Sequence, residues 1–116
     1  MTVKYVISEI PPSINKYIGR QDVWRYRAEK ARWKSIMCVY CRPKPKKPIE
    51  RAKVSIVFYF PDNRGRDYDN YLKMLLDGLT AAGIIADDNF KAVPEMILKG
   101  TVDKENPRIE IEIEEE

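Results

Sequence analysis

Histidine is absent from the 116 residues, and cysteine occurs only twice, as Cys38 and Cys41. A structural zinc site needs four nitrogen or sulfur ligands, so the C-x-x-C pair could complete one only by sharing it between two subunits. A redox pair ordinarily sits at a helix N-terminus, where the dipole stabilises thiolate. Here the pair falls near the end of a predicted helix, which favours plain packing of both cysteines. Long apolar runs are missing as well. The longest, Ile36-Met37-Cys38-Val39-Tyr40-Cys41, falls far short of the ~18 to 20 residues that cross a bilayer. Met1-Thr2-Val3-Lys4-Tyr5 has neither the apolar stretch nor the small-residue cleavage site of a secretory signal, so a cytoplasmic location is expected. No repeat or low-complexity linker divides the chain, and its length suits a single domain spanning residues 1–116.

What the chain does have is charge. The formal net charge of +3 conceals an asymmetry, because residues 103–116 carry seven acidic groups and two basic ones. Removing these from the totals of 18 and 21 leaves 11 acidic and 19 basic groups, a charge of +8 on residues 1–102. Such a surface attracts polyanions over long range, and nucleic acid is the natural partner; a charged surface that merely keeps a small protein soluble is the competing account.

The patterning predicts an α+β domain, a mixed β-sheet of about four strands with two main helices in the order β-α-β-α-β-β. Val3–Ile10 reads as a strand stopped by Pro11-Pro12, Trp24–Cys41 as a helix, and Ala52–Phe60 as a β-branched and aromatic strand. Between these last two, Pro43-Lys44-Pro45-Lys46-Lys47-Pro48 forms a rigid basic connector. Asp67–Ala82 reads as a second helix closed by Gly83. A Pro-interrupted strand follows over Val93–Leu98, then a strand with one wet face over Arg108–Glu114, where isoleucines alternate with glutamates.

The second helix carries the chemistry. At about 100° per residue, Leu72, Leu75, Leu76 and Leu79 form a core stripe, while Asp69, Lys73, Asp77 and Thr80 share the opposite face. Asp67 lies in the turn that enters this helix, two residues before Asp69, where a backbone not yet helical leaves both carboxylates free to converge. The Asp87-Asp88 pair is expected to bring a third. Oxygen donors without histidine suit Mg²⁺, with Mn²⁺ as a substitute. Such an ion neutralises charge developing at a phosphodiester, and Lys73 would add a positive group at the scissile phosphate. An EF-hand does not fit, because Leu72 and Gly78 stand where that loop needs glycine and glutamate. Simpler roles compete for each residue. Asp67 or Asp69 could cap the helix, Asp69 could pair with Lys73 along it, and Asp87-Asp88-Asn89 could be a turn.

The string Arg66-Asp67-Tyr68-Asp69-Asn70-Tyr71-Leu72-Lys73, followed by Asp77-Gly78-Leu79-Thr80, Gly83 and Asp87-Asp88, resembles the signature of the RusA family of Holliday-junction resolvases. Pro11-Pro12-Ser13-Ile14-Asn15-Lys16-Tyr17 resembles that family's N-terminal motif. The resemblance implies a magnesium-dependent endonuclease of DNA recombination and repair. It would cut four-way junctions by paired symmetric cleavage, with Asp67, Asp69 and Asp88 as catalytic metal-binding carboxylates, Lys73 as the catalytic lysine and Asp87 as a possible accessory acid. It also implies a homodimer, since two strands need two sites. The wider face of the second helix, Met74, Gly78 and Ala81, could either meet that partner or pack within its own domain. DNA contacts are expected from Asn15, Lys16, Arg20, Arg42, Lys44, Lys46, Lys47, Arg64 and Arg66, most of them to phosphates. The chain departs from the family pattern in Arg42–Lys53, with its six basic residues and three prolines. The alternatives are a non-catalytic branched-DNA-binding protein and a protein adaptor acting through the acidic tail.

Overall fold

The computed structural model describes residues 1–11 and 23–116, so Asn15, Lys16, Arg20 and all but Pro11 of the N-terminal motif lie outside the described residues. The elements run β1 (Thr2–Ile7), α1 (Val23–Tyr40), β2 (Ala52–Phe60), α2 (Asp69–Ala81), β3 (Glu95–Val102) and β4 (Arg108–Glu115), the α+β order expected. They form one four-stranded sheet, β1-β4-β2-β3, antiparallel except for the parallel β2–β3 pair.

Strict alternation fixes the sheet's two faces, because successive side chains point opposite ways. Val54, Ile56, Phe58 and Phe60 of β2, with Ile109, Ile111 and Ile113 of β4 and Tyr5 and Ile7 of β1, are buried beneath the helices. Glu110, Glu112 and Glu114 lie on the outer face, level with Val57, Ser55 and Lys53 of β2. That outer face carries both charge signs, and Val6 and Ile97 are exposed on it. At the far end Arg108 closes the β3–β4 turn. It donates to Asp103 and Glu110, each at 2.8 Å, and its guanidinium lies 3.7 Å from the Tyr59 ring centre.

The helices meet at a glycine. A Cβ placed on Gly78 would run into the Met37 side chain and come within 3.5 Å of Trp33. Trp33 and Met37 are α1's fully buried residues, and Met74 is buried too. Of the two roles open to the wider face of α2, packing within its own domain therefore holds for Met74 and Gly78, while Ala81 stays exposed. Gly83 ends α2's turn at φ +77°, the left-handed conformation in which glycine carries no Cβ penalty.

Three sequence expectations need correction. β1 spans Thr2–Ile7 and stops three residues short of the expected Ile10. β3 starts after Pro94 and continues past Leu98 to Val102. Gly100 looks like a breaker, yet it sits in the strand because the Tyr68 ring lies over it, with the hydroxyl 3.0 Å from where a Cβ would be. The cysteines also divide: Cys41 is buried but Cys38 faces solvent. Burial, helped by the neighbouring Cys38, pushes the Cys41 thiol up to about 12, the opposite of an activated thiolate.

Candidate active site

The turn between β2 and α2 is built on aromatic packing. Tyr68 and Tyr71 tilt against Phe58, at 5.8 and 6.2 Å between ring centres, and Tyr71 also meets Phe60 at 5.6 Å. Tyr68 faces inward onto these rings and Gly100, while its neighbours Asp67 and Asp69 are both exposed. The D-Y-D order thus anchors the turn by its middle residue and presents a carboxylate on each side.

Arg66 holds the preceding loop. Its guanidinium lies 4.8 Å from the Phe60 ring centre, pairs with Asp62 at 2.8 Å, and donates to the backbone carbonyls of Asp62 and Arg64. With 12% of its side chain exposed, most of its donor fork is occupied within the protein. Arg64 reaches into solvent while bonding to the same carboxylate. The Arg64 guanidinium and backbone N–H, with Arg66 behind them, hold the Asp62 carboxyl down at about 2. Asp62, Arg64 and Arg66 line a shallow cavity of about 280 Å³, together with Phe60, Tyr68 and Gly100.

The competing role of Asp67 and Asp69 as helix caps is not realised. Tyr68 occupies the N-cap position in helical conformation with no side-chain cap, and the Asn70 N–H bonds to the backbone carbonyl of Asp67. Nor does Asp69 pair with Lys73. The Lys73 ammonium turns the other way, to Asp77 Oδ2 at 3.6 Å, where Lys30 of α1 also arrives at 3.5 Å. Among the described residues, the side chains of Asp67 and Asp69 make no hydrogen bond or ion pair. Both stand at the N-terminal, positive end of α2.

In the Asp87-Asp88-Asn89 turn the acids have different tasks. Asp87 accepts from the Asp88 N–H at 2.7 Å and from the Asn89 amide at 3.1 Å, and Asn89 in turn accepts from the N–H groups of Lys91 and Ala92. Asp87 therefore builds the turn. The Asp88 side chain is exposed and makes no hydrogen bond or ion pair among the described residues.

Asp88 does not join Asp67 and Asp69 within one chain. β2 and β3 are parallel and paired from Lys53–Glu95 to Phe60–Val102. Asp67 and Asp69 follow the C-terminal end of β2, beside Gly100. Asp88 precedes the N-terminal end of β3, where Ala52 bonds to Ala92. The length of those strands, on the order of 20–25 Å, separates the two groups. Accordingly, no group of three or more acids or cysteines at metal-binding distance occurs among the described residues. The expected return of the chain to its starting point fails because α2 runs the length of the sheet and the Ile49–Ile85 bridge holds the following segment at that far end.

The basic residues fall into two groups. Lys44, Lys46 and Lys47 are exposed and make no ion pair among the described residues, while Arg42 donates to the Cys38 carbonyl near the end of α1. Arg42 and Lys44 line a groove with Cys38, Cys41, Pro43, Ala81 and Ala82, at the C-terminal ends of both helices. Two features were missed at sequence level. The aromatic clamp was signalled by Phe58 and Phe60 alternating into the core, and Asp77 lay on the Asp69–Lys73 stripe, but nothing local pointed to Lys30 as its partner.

The family model described as endodeoxyribonuclease RusA matches residues 9–114. The protein from Enterobacteria phage HK97 named crossover junction endodeoxyribonuclease rusA is 35% identical over 81 residues, covering 67% of this chain and 68% of its own.

Proposed function

The chain belongs to the RusA family of endodeoxyribonucleases, and from that premise we propose that it resolves four-way DNA junctions by hydrolysing phosphodiesters with divalent-ion help, as a homodimer. Asp67 and Asp69 hold the ion from one chain, Asp88 completes its carboxylate set from the second chain, and Lys73 serves the scissile phosphate. The observation that carries this reading is the division of the acids. Among the described residues, Asp67, Asp69 and Asp88 are exposed and uncommitted, whereas Asp62, Asp77 and Asp87 are engaged within the fold. Three uncommitted acids at two ends of one sheet make a complete site only when two copies exchange ends.

The donor set fits a small hard cation. Carboxylate oxygens suit Mg²⁺ or Mn²⁺, and the sequence offers no histidine to select a softer metal. When bound, the ion would lower the barrier to attack by water at phosphorus and stabilise the charge that develops there. The chain's own residues supply the rest. The aromatic clamp fixes where Asp67 and Asp69 stand, the ammonium of Lys73 stabilises the oxygens of the phosphate under attack, and Arg42, Lys44, Lys46, Lys47 and Arg64 bind phosphates of the junction arms. Arg66 contributes by holding its loop against Phe60, and Asp87 by shaping the turn that presents Asp88. A junction that is itself nearly two-fold symmetric meets two equivalent sites in a two-fold dimer, which gives paired cuts.

Incubating a labelled synthetic four-way junction with Mg²⁺ tests this directly. Symmetric nicks are expected from the native chain, with binding retained and cleavage lost in Asp69→Asn. Full cleavage by Asp69→Asn would reject the site; binding without any cleavage by the native chain would favour a branched-DNA-binding protein.

A further inference from the structure

Lys73 stands between two aspartates on one helical stripe, Asp69 a turn before it and Asp77 a turn after. Intrinsic helix physics favours the first. An acid four residues N-terminal to a lysine is the better orientation, and helical side chains lean toward the N-terminus. The structure shows the opposite choice, with Lys73 on Asp77 at 3.6 Å. Burial explains it. The Asp77 side chain is 19% exposed, and its Oδ2 is shut off from solvent without a hydrogen bond, so a nearby cation gains more there than beside an exposed carboxylate. Lys30, from α1, approaches the same oxygen at 3.5 Å.

We propose that Asp77 is a positioning residue that holds Lys73 away from Asp69, keeping Asp69 unneutralised for the divalent ion, while Lys30 balances Asp77 whenever Lys73 leaves it for a phosphate. This rests on the reading of Asp69 as a metal ligand and Lys73 as the phosphate-facing lysine. Without Asp77, Lys73 falls back on Asp69 and competes with the ion. An ammonium about 4 Å from a divalent ion disfavours binding on the order of thirtyfold in a water-like dielectric without salt, and about five- to tenfold once screened at ~0.3 M salt. The mere loss of the Asp77 charge, ~12 Å along the helix from Asp69, is worth less than about 1.5-fold at ~0.3 M salt, where the separation is roughly two Debye lengths.

The test is Mn²⁺ binding to the full-length protein, followed by electron paramagnetic resonance of the free ion at ~0.3 M salt. Asp77→Asn should weaken binding about five- to tenfold, and the double variant Asp77→Asn with Lys73→Met should return it to within about twofold of the native value. Lys30→Met, which leaves Lys73 parked, should bind as the native protein does. Native-like binding by Asp77→Asn, or failure of the second change to restore it, overturns the inference. Should Asp77→Asn not fold, Lys73→Met alone decides: unchanged Mn²⁺ affinity supports parking, and a fivefold or greater gain overturns it by showing that Lys73 already competes. Asp69→Asn separates the two levels. If it binds Mn²⁺ normally the underlying site is wrong, whereas if it loses the ion while Asp77→Asn is unaffected, only the positioning role falls.

Discussion

Replacing Tyr68 by alanine should impair catalysis through position alone. Its ring packs 5.8 Å from Phe58 and covers Gly100, yet the residue is only half-buried. A fully buried aromatic costs about 3–5 kcal/mol on truncation, so about 2 kcal/mol is expected here. That leaves a folded protein but releases the turn carrying Asp67 and Asp69, and displacing a reacting group by about 1 Å costs on the order of a hundredfold in rate. Tyr68→Phe keeps the ring and loses a hydroxyl with no hydrogen bond among the described residues, so it should cleave within about threefold of the native rate, a difference below about 1 kcal/mol. Single-turnover junction cleavage well below each variant's melting temperature, with affinity measured in parallel, provides the readout. A Tyr68→Ala protein that is folded and cleaves at the native rate refutes the idea that the aromatic clamp sets the geometry.

Other perturbations separate the parts. Asp87→Asn should retain most cleavage, because its amide oxygen can still accept from the Asp88 N–H and only the exposed bond from the Asn89 amide is lost, whereas Asp88→Asn should lose it; quantitative cleavage assays that reverse this order would move the site to Asp87. Changing Arg42 and Lys44 together to alanine should weaken junction binding and lower its logarithmic salt slope by up to about 1.8, at ~0.9 per phosphate contact, and an unchanged slope in a salt titration would remove the basic segment from the interface. Thiol titration of the native protein should find Cys38 reactive and Cys41 protected until unfolding. The Cys41 thiol ionises near its ordinary value of 9.0 when unfolded but keeps its proton to about 12 when folded. The folded state therefore binds the extra proton above that ordinary value, and stability should fall as pH rises through this window, more in the native chain than in Cys41→Ala.

Much of the fold was readable because its signals are local. Alternation in Ala52–Phe60 and Arg108–Glu115, the leucine stripe of α2 and the turn at Gly83 each arise within one segment. The same locality found Asp67, Asp69 and the Asp87-Asp88 pair as candidates, and the family resemblance singled out Asp88 from that pair. What escaped notice depends on distant partners. Gly100 remains in β3 because of Tyr68, Arg66 turns inward because of Phe60 and Asp62, and Lys73 turns away from Asp69 because Asp77 is half-buried beside Lys30. The separation of Asp88 from the other two acids is a matter of topology. A helix antiparallel to its preceding strand ends where that strand began, and no residue pattern in the loop announces which end of the sheet it will occupy.

Mixing subunits tests the shared site most directly. Asp69→Asn and Asp88→Asn homodimers should each be inactive, but a heterodimer of the two pairs the intact Asp67 and Asp69 of one chain with the intact Asp88 of the other. One working centre per heterodimer should then nick one strand of a junction, recovering up to half the native number of cuts. If co-refolded mixtures containing verified heterodimer stay as inactive as either parent, the carboxylates do not assemble across subunits and the proposed centre is wrong.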